Sequence, residues 1–243
     1  MPSLWIRTLS RLRSSTQQFV HEPALRAELF NAEQMASHGH QLAGQHKLSP
    51  RSAAGALLTR LDDNEALLAR SCAMLNAVPL ATRRATPAAE WLLDNFYLIE
   101  EQIRTARKHL PKGYSRELPR LANGPSSGLP RVYDIALETI SHGDGRVDSE
   151  SLSRFVAAYQ SVMPLTLGEL WAIPIMLRLA LIENLRRVAS RVIADWNDCN
   201  LAENWADRLA EIAEQDAKSV VLTVADMARS APPMTSSFVA ELT

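Results

Sequence analysis

Two stretches decide the fold: Glu90–Arg104, EWLLDNFYLIEEQIR, and Thr166–Arg187, TLGELWAIPIMLRLALIENLRR. In the first, Leu92, Phe96, Ile99 and Ile103, continued by Ala106, return every three or four residues, the period that lines side chains along one face of an α-helix. Thr86-Pro87 supplies its start: a hydroxyl cap, then a proline whose missing N–H costs nothing in a first turn. A helix is predicted over Pro87–His109. The second stretch is apolar on most sides and predicts a longer helix from Thr166 to about Trp196. Packing of these two helices, with Phe96 and Trp171 as buried anchors, is expected to dominate stability.

Outward from this pair, the chain is rich in Ala, Leu, Arg and Glu, has few glycines, and nowhere alternates apolar and polar residues over a strand length. The expected fold class is all-α: a multi-helix bundle with two long central helices and a Pro/Gly-rich connector. Further helices are predicted over about Pro2–Val20, Pro23–Gln45, from Ser49-Pro50 to Val78 with a break near Asp62-Asp63-Asn64, and from Pro130 to about Ile140. Leu25, Leu29, Ala32, Ala36 and Ala43 mark the buried side of the second. Another helix starts after Asp148 or Ser149 and ends at Met163-Pro164; the last runs over Leu201–Arg229. Leu110–Pro130, with four prolines and three glycines, is too interrupted for a helix and reads as the connector. The domain reading is N-terminal helices over 1–85, a main bundle over 86–230 and a loosely held tail over 231–243, together one compact domain.

Composition narrows the functional classes. A net charge of -1 at pH 7 provides no overall field for nucleic acid, and no nucleic-acid partner is expected. Cys72 and Cys199 suit no zinc spacing and read as free thiols of a reducing, cytoplasmic setting. The most apolar run, Leu170–Leu177, is far shorter than the roughly 20 residues that span a bilayer. Before Glu22 there is no acidic residue, and Trp5, Leu9, Leu12 and Phe19 share a helical face. Residues 1–20 thus imitate an organellar transit peptide or a membrane-surface helix, but read first as a plain first helix of the bundle.

The polar residues inside the two long helices form the candidate site. Trp91, Asn95, Leu98 and Gln102 make a second stripe beside the core stripe, adjoined by Asp94 and Glu101. Arg178 shares a face with Trp171 and Leu185, and a guanidinium on an apolar face requires a partner. Glu100, Glu101 or Asp94 is the expected partner; Glu169 and Glu183 on its own helix are poorly directed toward it, but belong to the same candidate set. These residues form either a polar pocket between helices or a buried structural ion-pair network.

Other motifs dissolve on inspection. Gly124-Pro125-Ser126-Ser127-Gly128 fits G-x-S-x-G, yet no strand precedes it, and it reads as a tight turn. Asp144, Asp148 and Glu150 miss the calcium-loop spacing, since the twelfth position from Asp144 is Phe155. His38, His40 and His46 invite a metal, but on a helix His38 and His40 point away from each other and no carboxylate sits at ligand spacing beside them, so a solvated polar face is expected. Neither a D-x-D triplet nor a Gly-rich phosphate loop is present. No catalytic residue, metal or cofactor is assigned.

The blocks EWLLDNFYLIEEQIR, LPRLANGPSSGLPRVYDIALE and LSRFVAAYQSVMPLTLGELWAIPIMLRLALIENLRR, preceded by AEQMASHGHQLA and LLTRLDDNEALLARS, resemble the N-terminal region of the cyclic β-1,2-glucan synthases. The likeness covers roughly residues 25–190, and is most specific from Gly168-Glu169-Leu170-Trp171 through Glu183-Asn184-Leu185-Arg186-Arg187. It implies a helical region preceding a membrane-embedded, UDP-glucose-using glycosyltransferase, which would be the partner in cis or in trans. It also implies a place at the inner face of a bacterial inner membrane. No catalytic motif of those enzymes occurs here. A free-standing helical binding protein, using the interhelical pocket for a sugar, a phosphate or a partner helix, is the other reading.

Overall fold

A computed structural model describes residues 22–49, 56–77, 86–110, 117–216 and 218–242. Among these the fold is all-α: helices α1 Ala32–Gln45, α2 Ala56–Asn76, α3 Pro87–Asp94, α4 Phe96–His109, α5 Arg131–His142, α6 Ser149–Val162, α7 Leu167–Gln215, α8 Val220–Ser230 and α9 Ser236–Leu242. Strands β1, Leu48–Ser49, and β2, Arg120–Leu121, pair antiparallel, with Leu48 opposite Leu121. The helix expected over residues 2–20 and the Pro50 start signal lie outside the described residues.

The helix expected from Pro23 begins only at Ala32. Asn31 is its cap: the side chain accepts from the N–H groups of Glu33 and Gln34, and the Gln34 side chain returns a bond to the Asn31 N–H. Residues 23–31 are not helical, and Leu29 is 59% exposed. Their backbone bonds the end of α5 instead, Ala27 N–H donating to Ser141 O and Phe30 N–H to His142 O. The break expected at Asp62-Asp63-Asn64 does not occur, because Asn64 turns inward and donates to a buried carboxylate from within an intact α2. Conversely, the single helix expected over Pro87–His109 is two, divided at Asn95 (φ -105°, ψ 9°). The Asn95 side-chain amide donates to the Trp91 carbonyl at 2.8 Å, which favours this local turn over a continuous ladder.

Asp148 caps α6 by accepting from the Ser151 N–H, and α6 stops at Met163. The long helix α7 continues past Trp196, since nothing in Asn197-Asp198-Cys199-Asn200 is a glycine or proline able to break it. It ends near Asp216, whose carboxylate accepts from Ser219 Oγ and the Lys218 N–H. In the tail expected to be loose, α9 buries Phe238 completely, and Thr235 Oγ1 donates to Asp198.

The chain divides into two compact units, one spanning His21–Ala189 and one that takes in Ser190–Thr243, the boundary falling inside α7. In the larger unit, Met35, Leu42 and Ala43 of α1 pack with Phe155, Val156 and Tyr159 of α6 and with Ile135 of α5. Gly39 permits this approach: a Cβ there would stand 2.7 Å from the Phe155 carbonyl oxygen.

Candidate functional site

Within the larger unit, α3 and α4 face the first half of α7 across a groove of about 380 Å³. Trp91, Asn95, Leu98, Ile99 and Gln102 form one wall; Pro174, Leu177, Arg178, Leu181, Ile182 and Leu185 form the other. The lining is mostly apolar, with Trp91 and Leu98 left partly open to solvent. Of the residues singled out by sequence, Trp91, Asn95, Gln102 and Arg178 meet here, while exposed Asp94 and Glu101 are not part of the lining. Two expectations are corrected. Arg178 is only half-buried, and its Nε donates to the Gln102 side-chain oxygen at 3.0 Å rather than to a carboxylate. A neutral amide suffices because the guanidinium keeps access to water, so its desolvation is small. Trp171, one turn before Pro174, is 76% exposed, and Phe96 is half-buried, so neither is the buried anchor expected.

Glu169 and Glu183 belong instead to two buried ion networks. Glu169, fully buried, accepts Arg131 Nε at 2.6 Å and Nη2 at 2.8 Å, a bidentate pair, while Arg131 Nη2 also donates to the Pro164 carbonyl. The same carboxylate accepts the Thr166 N–H and hydroxyl, capping α7. Glu183, also fully buried, accepts Arg60 twice, Asn64, Arg186 and Arg187 at 2.7–3.1 Å. Burial alone would raise its pKa; the hydrogen bonds and positive charge of Arg60 and Arg186 outweigh this and bring it to about 2. Tyr133 beside it is pushed up by burial, with Glu183 adding to the effect.

A second, more polar cavity of about 360 Å³ lies among α1, the connector and α5. Its histidines do not form the solvated face expected. His46 is buried between the Asp134 carboxylate (Nε2–Oδ2 3.0 Å) and the Tyr159 hydroxyl (Nδ1–O 2.8 Å). His38 Nε2 lies 2.8 Å from Glu138 Oε2, and His142 Nε2 lies 3.4 Å from the same oxygen. His40 alone of the three is exposed. The Gly124–Gly128 segment is the expected turn, with positive φ at both glycines, and Ser126 is buried in the cavity wall.

Over 131 residues the chain is 39% identical to the cyclic β-(1,2)-glucan synthase NdvB of Rhizobium meliloti (strain 1021). The match takes in 54% of this chain but only 5% of the synthase. No protein-family profile matches the chain. The resemblance to this synthase is thus a resemblance to one small region of a far longer protein. Among the described residues, no helix is long and apolar enough to cross a membrane.

Sequence reasoning missed the Arg131–Glu169 pair, although half of it was visible: Thr166-x-x-Glu169 has the spacing of a capping box. The other half, Arg131, comes from a helix that no local pattern connects to α7. The cluster of Arg60 and Asn64 on Glu183 was hidden for the same reason, its members lying 119 and 123 residues apart in the chain.

Proposed function

We propose that this chain is a non-catalytic helical module of a cyclic β-1,2-glucan synthase, or a separate subunit related to that module. It would work at the inner face of a bacterial inner membrane beside a glycosyltransferase that uses UDP-glucose. The 39% identity to the Rhizobium meliloti synthase over 131 residues carries this reading. The described residues also support it: the strands there form one two-stranded ribbon, whereas a nucleotide-sugar site usually sits on an α/β layer. The purified chain is expected to release no UDP from UDP-glucose above a heat-killed control. Metal-dependent UDP release, abolished by a point substitution in this chain, would overturn the reading.

The groove supports a second reading, a helical binding protein. Trp91 offers a ring for the C–H face of a sugar, and Gln102 and Arg178 offer hydrogen bonds to hydroxyls, while the apolar remainder suits a partner helix better than a phosphate. Saturable glucan binding by the isolated chain, weakened by Trp91→Ala, would favour it.

A further inference from the structure

The geometry points to a divalent transition-metal site, with zinc the best-suited ion, formed by His38 of α1 and Glu138 and His142 of α5. One ligand atom from each lies within 4.8 Å of the others. Tetrahedral zinc with bonds of roughly 2.0–2.1 Å sets its ligand atoms about 3.3 Å apart. Glu138 Oε2 already lies 2.8 Å from His38 Nε2 and 3.4 Å from His142 Nε2, both close to that spacing. Nδ1–H of His142 donates to the Glu28 carbonyl at 2.7 Å, which orients the ring with Nε2 toward the Glu138 carboxylate, as a metal-ligating histidine is usually held.

Aromatic rings fix both imidazoles. Phe30 stacks on His142 at 3.8 Å, and Phe155 stacks on His38 at 5.8 Å. His38 and Glu138 line the polar cavity, so a fourth coordination position opens toward it and is available to water or to a ligand oxygen. The neighbouring His46 is not a further ligand, since both of its ring nitrogens are engaged by Asp134 and Tyr159.

The test is calorimetric titration of the metal-stripped full chain with zinc. One equivalent should bind, with at least tenfold weaker binding in His38→Gln and in Glu138→Gln and no change in His40→Gln. The first two positions are partly exposed, and circular dichroism will verify that both variants remain helical. The cobalt(II) form should show the strong visible bands of four-coordination, lost in the same variants. A folded chain that takes up no zinc, or takes it up equally in His38→Gln and Glu138→Gln, overturns the site.

Discussion

Glu183 is fully buried yet ionised, and its surroundings explain how. Three arginines and an asparagine satisfy its oxygens, and their combined effect holds its pKa at about 2, against an ordinary value of 4.5. A carboxylate whose pKa is depressed by folding adds stability above its unfolded pKa, and that stability disappears as pH falls through the interval from about 4.5 to 2. The contribution is on the order of 3 kcal/mol. Glu183→Gln should therefore cost about 3–5 kcal/mol in urea unfolding at pH 7, by stranding buried guanidinium groups, and should flatten the acid limb of the stability profile. Arg178→Met, by contrast, removes a half-exposed cation bonded to a neutral amide. Its unfolding free energy should stay within about 0.5 kcal/mol of wild type. Sequence placed Arg178 on the correct face but not its partner, because an i, i+7 spacing gives direction and says nothing of which side chain a distant helix presents there. Trp171 shows the same limit: it shares that face, yet lies beyond the groove lining and is 76% exposed.

At the scale of the elements, helical periodicity was legible wherever a helix buries one side, as in α4 and α6. Ends were legible where a cap or a proline marks them, as at Asp148 and Met163-Pro164. They were misread where a polar run inside a helix resembled a loop, at Asp62-Asp63-Asn64 and Asn197-Asp198-Cys199-Asn200, and where apolar spacing continued into a non-helical segment, at residues 23–31. The pairing of α1 with α6 depends on Gly39, where an added Cβ would lie 2.7 Å from a backbone oxygen and 3.0 Å from a Phe155 ring carbon. Gly39→Ala gains up to about 1 kcal/mol of helix propensity. Against this, separating the helices costs about 1–3 kcal/mol of overpacking strain. A net loss is expected, read as a lower urea midpoint with an unchanged slope. A raised midpoint would show that α1 and α6 can move apart freely.

For the whole molecule, the all-α class followed from composition and period, whereas both cavities arise from helices distant in sequence. The candidate groove was partly foreseen, because Trp91, Asn95 and Gln102 form a stripe on one face of adjoining helices. The histidine cluster was not, because His38 and its carboxylate lie 100 residues apart. The proposed function rests on the 131-residue likeness to the Rhizobium meliloti synthase, of which this chain matches 5%. Exchange of that matched segment for the corresponding residues of this chain, followed by measurement of cyclic glucan made from UDP-glucose in membranes, tests the proposal directly. A module of the same kind predicts a chimaera that still makes cyclic glucan. A chimaera that accumulates in the membrane at the level of the parent synthase and makes no glucan would contradict it.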